Sequence, residues 1–422
     1  MRASRTTVGL SRRRTALRTV AALVLAGALA ATAGCSGGGG DAGGPRGAGW
    51  KGGAGGGADN QNTQTEPELG ATVTDPAPDA TDVAPLTRIA FTTREASGVA
   101  SLTLTDSKGG SVPGELAADG KSWVPAEALK WGTKYTAAIT VDGADGKTAT
   151  TTSSFTVMAK PEKLVRVSTQ LGDDAVVGIG MPLIVNFGRS IPKSLRDDVQ
   201  KRMTVTSTPA QTGAWNWLSG TEVQYRPKAF WKANTKISVK VAARGLPMGS
   251  GWYGRSDITL RVKVGSAVVM TVSNNSKRMT VKRNGKVLRT IPISLGKPST
   301  PSSSGTMVVM GKLRKTVFDT FDELGPKEGY RVDIEYAQRL TYGGEFLHAA
   351  PWSVDAQGRR NVSHGCVNMS MANAAWLFGV TKMGDPVTIK GTERKLANGN
   401  GWTAWNVSWK QWTKGSALPV EG

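Results

Sequence analysis

Cysteine and histidine are scarce in this chain, with two of each among 422 residues. Cys35 closes a segment that has the features of an export leader, and Cys366 lies far from it, so a disulfide between them is not expected. The thiol of Cys366 is therefore predicted to be free outside the cytoplasm, where thiols are normally oxidised in pairs. A thiol in that setting is more typical of a nucleophile than of a structural bridge.

Acidic residues are also few, with 32 Asp and Glu against 53 Lys and Arg, for a formal net charge of +21. The predicted leader contributes six arginines and no acids, which leaves +15 on the rest of the chain. This excess indicates an anionic partner, such as cell-wall polymers or lipid headgroups, although solvated surface lysines would also produce it. No Lys/Arg run interleaved with aromatic residues indicates a nucleic-acid groove.

Residues 1–34 are predicted to be a signal peptide, with basic residues first and an apolar run from Val20 to Ala31 that is too short to span a bilayer. Arg13-Arg14 allows twin-arginine export, and the sequence does not separate that route from the general one. Ala33-Gly34-Cys35 resembles a bacterial lipobox, although Thr32 departs from the preferred Leu, so Cys35 is predicted to be lipidated. We expect a lipoprotein on the outer face of the cytoplasmic membrane, tethered by the Gly-rich segment 35–68.

An internal repeat organises the middle of the chain. Trp123-Val124-Pro125 recurs as Tyr225-Arg226-Pro227, an offset of 102 residues, and each copy continues into an alternating apolar pattern. That period predicts two immunoglobulin-like β-sandwiches, at 69–160 and 161–265, which lack a cysteine pair and depend on sheet packing alone. Their expected role is a stalk and spacer, and binding of wall glycans stays open.

The remaining chain is predicted to form a β-rich catalytic domain at 266–392 and a Trp-rich subdomain at 393–422. Asn284-Gly285 indicates a tight hairpin, and the Ser/Pro/Gly segment Pro298 to Gly305 is either a mobile flap or a passive surface loop. Four tryptophans in the tail have helical spacing, which predicts one helical stripe packed on the preceding domain; sugar stacking is the alternative. These are Trp402, Trp405, Trp409 and Trp412.

His348, His364 and Cys366 are the groups best suited to nucleophilic chemistry, because a thiol needs a nearby base to attack an amide. On an extended strand His364 and Cys366 would point the same way, and the amides of Gly365 and Cys366 could face a developing oxyanion. His348 reaches the thiol only if the intervening loop folds back.

His348, fourteen intervening residues, and then Ser363-His364-Gly365-Cys366-Val367-Asn368 resemble the signature of the L,D-transpeptidase (YkuD) family. The sandwiches, the hairpin and the Trp-rich tail are similar to its multidomain actinobacterial lipoproteins. The resemblance implies a mainly β chain: two immunoglobulin-like β-sandwiches followed by a β-rich YkuD-type catalytic domain with a Trp-rich helical C-terminal tail.

The resemblance also implies roles. Cys366 would be the nucleophile and His348 its base, with the Ala349 carbonyl orienting the imidazole. The amides of Gly365 and Cys366, with the Tyr330 hydroxyl, would stabilise the oxyanion. The supporting and pocket-forming residues would be His364, Ser363, Asn368 and Trp352.

The implied reaction is attack on a peptidoglycan stem at its third residue, release of the terminal D-Ala, and transfer to a second stem to form a 3→3 cross-link. Water as acceptor would give an L,D-carboxypeptidase, and carbapenems would acylate the thiol. No cofactor or metal is expected. Alternatives are a zinc site of His348, His364 and Cys366, a sortase-like transpeptidase, an envelope-binding scaffold, or an inert buried thiol. The stem diamino acid, the acceptor and the oligomeric state stay open.

Overall fold

The structure is a computed structural model that describes residues 68–420. The predicted leader, Cys35 and the tether before Glu68 lie outside the described residues. Within residues 68–420, no helix has the length and apolar character needed to cross a membrane. The described part of the chain is mainly β, as predicted.

The first repeat forms a β-sandwich of two sheets, with strand orders β1-β3-β7-β6 and β2-β9-β8-β4-β5. Ile89, Leu104 and Ile139 are fully buried between them. The strands are β1 (Gly70–Asp75), β2 (Ala80–Val83), β3 (Ile89–Arg94), β4 (Ala96–Asp106), β5 (Ser111–Val112), β6 (Gly114–Leu116), β7 (Ser122–Pro125), β8 (Lys134–Gly143) and β9 (Thr148–Val157).

The second repeat forms a second sandwich, with sheets β11-β13-β16-β15 and β12-β19-β17-β14 and a short β10-β18 pair. A short helix α1 (Arg196–Lys201) follows a 3₁₀ turn at Lys193–Leu195. The strands are β10 (Leu164–Val165), β11 (Val167–Thr169), β12 (Ala175–Val177), β13 (Leu183–Phe187), β14 (Met203–Thr208), β15 (Gly213–Trp217), β16 (Glu222–Pro227), β17 (Lys236–Val241), β18 (Tyr253–Gly254) and β19 (Ile258–Val264).

The alternating segments of the repeat are strands β8 and β17, as predicted. Tyr135, Ala137 and Ile139 are buried in one, and Ile237 and its alternate neighbours are buried in the other. Strand residues two apart share a face, so each strand contributes a row of apolar side chains to its core. The repeated sequence pattern therefore corresponds to a repeated fold.

The third domain packs a six-stranded sheet, β22-β21-β20-β28-β23-β29, with a four-stranded sheet, β24-β25-β26-β27. Helix α2 (Phe321–Glu328) is kinked at Gly325, and α3 (Met371–Val380) begins after Ser370, whose side chain caps it. The strands are β20 (Val268–Ser273), β21 (Arg278–Arg283), β22 (Lys286–Pro292), β23 (Ser303–Val308), β24 (Gly311–Asp319), β25 (Arg331–Arg339), β26 (Phe346–Ala349), β27 (Val367–Met369), β28 (Pro386–Lys390) and β29 (Arg394–Lys395).

The predicted hairpin at Asn284-Gly285 is confirmed. Arg283 pairs with Lys286, and the two turn residues have φ of 48° and 82°. Both values are positive, which is the requirement of the tight turn that Asn-Gly favours.

The segment Pro298 to Gly305 is neither a flap nor a surface loop along its whole length. Ser302 and Ser303 are buried, and Ser303–Val308 is strand β23 of the six-stranded sheet. Only the residues before Ser303 form a turn. The Ser and Gly composition suggested a loop, but pairing of β23 with β28 overrides that local preference.

The Trp-rich tail does not form one helical stripe. It contains a 3₁₀ turn (Ala404–Asn406) and a five-residue helix α4 (Trp409–Thr413), with Trp402 before both. The indole nitrogens of Trp405 and Trp412 donate to backbone carbonyls of the second sandwich, at Gly180 and Ala214. The tail therefore packs on the second sandwich as well as on the catalytic domain.

Arg226 of the second sandwich occupies the centre of the tail. Its side chain is buried, and its guanidinium lies 4.6, 5.3 and 5.0 Å from the ring centres of Trp405, Trp409 and Trp412. Burial lowers the pKa of Arg226 to about 10, so the group stays charged near neutrality and attracts the three ring faces. The indole rings of these three tryptophans therefore contact a buried side chain of the second sandwich.

The second sandwich also contacts the catalytic domain through backbone groups. The amides of Gly178 and Gly180 donate to the carbonyls of Met383 and Gly384 at 2.8 and 2.9 Å. A Cβ added to Gly178 would lie 2.2 Å from Oδ1 of Asp385, so this close approach requires glycine. Asp385 is fully buried at this junction.

The buried Asp385 carboxyl should make the free energy of unfolding depend on pH. Burial raises its pKa from 3.8 to about 7, partly opposed by the Lys382 amide and by Lys382, Lys312 and Arg283. Oδ1 has no hydrogen-bond partner among the described residues. Because the folded state holds this proton more tightly than the unfolded state, the destabilising contribution is absent below about pH 4, grows as the pH rises to about 7, and is constant above it.

Asp385→Asn should therefore stabilise the protein above pH 7 and lose that advantage as the pH falls toward 4. The measurement is urea unfolding of native and variant chains across this pH range, with the exposed Asp333→Asn as matched control. A stability difference that does not depend on pH would contradict the prediction.

Candidate active site

Parallel pairing of β26 with β27 brings the distant parts of the signature together. His348 in β26 is the register partner of Asn368 in β27, and Cys366 immediately precedes β27. The intervening segment folds back through a 3₁₀ turn at Pro351–Ser353. The structure thus meets the condition under which His348 can reach the thiol.

The nucleophile loop is defined here as Ser363 to Cys366, and it is a bend rather than the extended strand expected from the sequence. Gly365 has φ of +126°, a region that favours glycine. The strand begins only at Val367. Strand alternation therefore does not explain why His364 and Cys366 lie beside the same cavity.

Two serine hydroxyls hold the loop. Ser363 Oγ donates to the Cys366 carbonyl at 2.7 Å and accepts from the Gly365 amide at 3.1 Å. Ser302 Oγ donates to the Gly365 carbonyl at 2.7 Å and accepts from the Gly296 amide at 2.9 Å. Ser302 was not predicted as a site residue, because only the folded sheet brings it to the loop.

The expected oxyanion role of the Gly365 amide does not fit this geometry, since the amide already donates to Ser363 Oγ. The Cys366 amide and the Tyr330 hydroxyl stay candidate donors. Burial raises the pKa of Tyr330, and a negative charge on Cys366, when the thiol is ionised, adds to the effect, so the Tyr330 hydroxyl keeps its proton. The Tyr330 ring centre lies 5.2 Å from that of His364.

His348 is buried and held in one tautomer. Its Nδ1 lies 2.7 Å from the Ala349 carbonyl oxygen, which can only accept, so Nδ1 carries the proton and Nε2 has a free lone pair. The ring packs edge-on against Phe318 and lies 6.1 Å from the Trp352 ring. Burial lowers the pKa of His348 to about 4, partly offset by the Ala349 bond, so the imidazole is neutral at pH 7.

Cys366 is half-buried, and its thiol donates to the Gly344 carbonyl with an Sγ to O distance of 3.7 Å. Burial raises the thiol pKa to about 12; a backbone hydrogen bond from Phe346 opposes the shift, and the Glu345 carboxylate adds to it. The resting site therefore contains a neutral thiol and a neutral imidazole.

Two cavities meet at Cys366. The first has a volume of about 320 Å³ and the second about 330 Å³, and both are bordered by Phe318, Tyr330, His364 and Cys366. The first is otherwise lined by Val332, Ile334, His348, Trp352, Val362 and Asn368. The second adds Val317, Asp319, Thr320, Arg339, Tyr342, Gly343, Gly344 and Phe346.

The cover of the site is the hairpin formed by β24, α2 and β25, which contributes Phe318, Tyr330, Val332 and Ile334. Sequence reasoning found only Tyr330 among these. Val332 and Ile334 alternate along β25, which would have indicated a strand with one apolar face, but not that this face covers the thiol.

The other predicted residues lie at the same site. Asn368 is buried, its Nδ2 donates to Ser353 Oγ at 3.3 Å, and its Oδ1 has no hydrogen-bond partner within residues 68–420. Trp352 lies at the mouth with 55% of its surface exposed. Among residues 68–420, no group of three or more His, Cys, Asp or Glu side chains has the arrangement to hold a metal ion.

Comparisons with known proteins agree with this geometry. Residues 267–389 match the L,D-transpeptidase catalytic domain, and residues 80–247 match the bacterial Ig domain. L,D-transpeptidase 2 of Mycobacterium tuberculosis is 36% identical over 356 residues, covering 83% of this chain and 85% of the relative. The chain belongs to the L,D-transpeptidase family. The predicted family is thereby confirmed, and the protein is a transpeptidase by descent.

Other relatives extend the comparison. L,D-transpeptidase 5 of M. tuberculosis is 33% identical over 354 residues, covering 82% of this chain and 76% of the relative. A solved structure of L,D-transpeptidase 3 from M. tuberculosis with a faropenem-derived adduct is 30% identical, with a TM-score of 0.45, and covers 53% of this chain and 97% of that one. The LdtMt1 structure in complex with imipenem is 35% identical, with a TM-score of 0.47, and covers 55% and 100%.

The protonation state of this L,D-transpeptidase site can be tested by alkylation. With a thiol pKa of about 12, the thiolate fraction of Cys366 should rise about tenfold per pH unit throughout the neutral range. The folded chain is treated with iodoacetamide at each pH and then digested, and the alkylation rate of Cys366 is followed on the tryptic fragment 361–382. Glutathione in the same sample serves as an ordinary thiol. A plateau for Cys366 near neutrality would instead indicate a preformed thiolate–imidazolium pair.

Proposed function

We propose that this transpeptidase forms 3→3 cross-links in peptidoglycan through a thioester on Cys366. The sulfur attacks the carbonyl of the third stem residue, and the amide bond to the terminal D-Ala breaks. The thiol proton passes to Nε2 of His348 and then to the departing nitrogen, so D-Ala leaves with an uncharged amino group. An amine on a second stem attacks the thioester and regenerates the thiol.

The observation that carries the proposal is that the Cys366 thiol lines the same cavity as a neutral His348 whose Nδ1 is bonded to the Ala349 carbonyl. A base that is unprotonated at pH 7 and presents Nε2 can take the proton as the carbon–sulfur bond forms. The imidazolium that results keeps its Nδ1 bond, since protonation adds a donor at Nε2 only.

The two cavities support a reaction with two peptide substrates. They meet at the thiol, so the acyl donor can occupy one while the acceptor amine approaches through the other. Water entering by the acceptor side would give L,D-carboxypeptidase activity in the same site. The Tyr330 hydroxyl and the Cys366 amide are proposed to stabilise the oxyanion, and Asn368, His364, Ser363 and Trp352 to shape the pocket.

The site also suits carbapenem acylation, because a strained lactam carbonyl would take the place of the stem amide and leave a stable acyl-thiol. Family membership and the free thiol support this part of the proposal. It offers a chemical readout that does not require a cell-wall substrate.

The cellular setting is proposed from the sequence. Cleavage before Cys35 and lipidation of that residue would anchor the chain on the outer face of the cytoplasmic membrane. The Gly-rich tether and the two sandwiches would then form a stalk that carries the catalytic domain to the wall. The excess of basic residues fits anionic wall polymers. The sortase-like and scaffold alternatives have no observation in their favour.

The test uses the full chain with disaccharide-tetrapeptide donors and acceptors. We expect dimers whose fragmentation places the link at residue three of both stems, loss of product in Cys366→Ala, and a rate lower by about 10²–10⁴ in His348→Gln. Intact mass after meropenem should show one adduct on the native chain and none on Cys366→Ala.

Lys286→Gln, at the exposed first residue of edge strand β22, is the matched control and should keep the native rate. Cross-linking by Cys366→Ala would reject the thioester. A native rate in His348→Gln would reject the assigned base while leaving the nucleophile in place.

A further inference from the structure

Glu345 is a buried acid directly before β26, with 4% of its surface exposed. Its Oε1 accepts from Ser303 Oγ at 2.7 Å, and its Oε2 accepts from the Ser303 amide at 3.2 Å. Arg394 Nη2 completes the set by donating to Oε1 as an ion pair. The carboxylate is thus satisfied by hydrogen bonds and by one opposite charge, as a buried acid requires.

Arg394 comes from a different part of the chain. It lies in β29, beyond the matched catalytic region 267–389, and β29 pairs with β23 so that Arg394 is the register partner of Ser303. The neighbouring Ser302 donates to the Gly365 carbonyl. Two consecutive serines therefore connect the Glu345–Arg394 pair to the nucleophile loop.

The pair also packs directly on that loop. A Cβ added to Gly365 would lie 3.6 Å from Glu345 Cγ and 3.7 Å from Arg394 Nη2. Neither residue is among those that line the two cavities in the described part of the chain. The pair therefore supports the loop from outside the substrate space.

Several charged or titratable groups face the Cys366 thiol. His348, His364 and Tyr330 share its cavities, and Asp319 and Arg339 line the second cavity. Glu345 is the buried carboxylate whose charge acts on the thiol. Arg394, whose side chain is 47% exposed, offsets that charge with partial solvent screening.

We propose that the Glu345–Arg394 ion pair is a positioning element of the nucleophile: it braces Gly365 and keeps the charge beside the Cys366 thiol balanced. The proposal rests on the proposed function only in taking Cys366 as the nucleophile. Removing one partner leaves the other charge unpaired, so the two single substitutions act on the thiol in opposite directions. A bracing role alone would make both substitutions harmful in the same direction.

The size of the effect follows from thiol chemistry. One unpaired charge is expected to shift the thiol pKa by about one pH unit, which changes the thiolate fraction about tenfold. A thiolate whose pKa is one unit lower is also about threefold less nucleophilic, which partly cancels the tenfold gain in thiolate fraction. The net alkylation rate should therefore change about threefold.

The experiment measures iodoacetamide alkylation of the full chain at about pH 8, followed on the tryptic fragment 361–382 so that Cys35 does not contribute. Glu345→Gln should react about threefold faster than the native chain, and Arg394→Gln about threefold slower. The double variant should return close to the native rate. Arg394→Lys keeps the cation and should also react at close to the native rate.

Lys395→Gln is the matched control, because it removes the same charge from the adjacent exposed position and should have no effect. Equal rates in all variants, or slowing by both single substitutions, would overturn the proposal. If Glu345→Gln does not fold, the contrast between Arg394→Gln and Arg394→Lys decides. Alkylation needs no peptidoglycan, so failure to form 3→3 dimers would leave this test intact.

Discussion

The hydrogen bond between His348 Nδ1 and the Ala349 carbonyl is the interaction on which the chemistry of this site depends. It determines which ring nitrogen carries a proton, and burial keeps the imidazole neutral. A neutral thiol that shares a cavity with a neutral imidazole avoids placing two opposite charges where burial disfavours them. In the proposed reaction, the sulfur becomes nucleophilic only as it attacks a substrate carbonyl and its proton moves to Nε2.

The rest of the fold holds this arrangement from several directions. Parallel strands β26 and β27 set His348 beside Asn368, and Ser302 and Ser363 fix the bend that presents Cys366. The tail connects the catalytic domain to the second sandwich through the tryptophans around Arg226, whose burial among three indoles joins segments far apart in sequence. The second sandwich and the catalytic domain thus belong to one compact unit, rather than being two independently placed domains.

Features that depend on local geometry could be predicted from the sequence. Asn284-Gly285 specifies a turn by its own backbone preferences, and alternation in Ile237, Val239 and Val241 specifies a buried face. Contacts across the fold could not be predicted in this way. The bend at Gly365 depends on Ser302, the β24–α2–β25 hairpin covers the thiol only after the sheet forms, and the tryptophan spacing is compatible with a turn as well as a helix.

The most direct test of this account is ¹⁵N NMR of the imidazole nitrogens in the full chain, which has only two histidines. The account predicts that at neutral pH His348 is uncharged with its proton on Nδ1, and that it titrates with a pKa of about 4. An imidazolium at neutral pH, or a proton on Nε2, would contradict it, because neither form has a lone pair on Nε2.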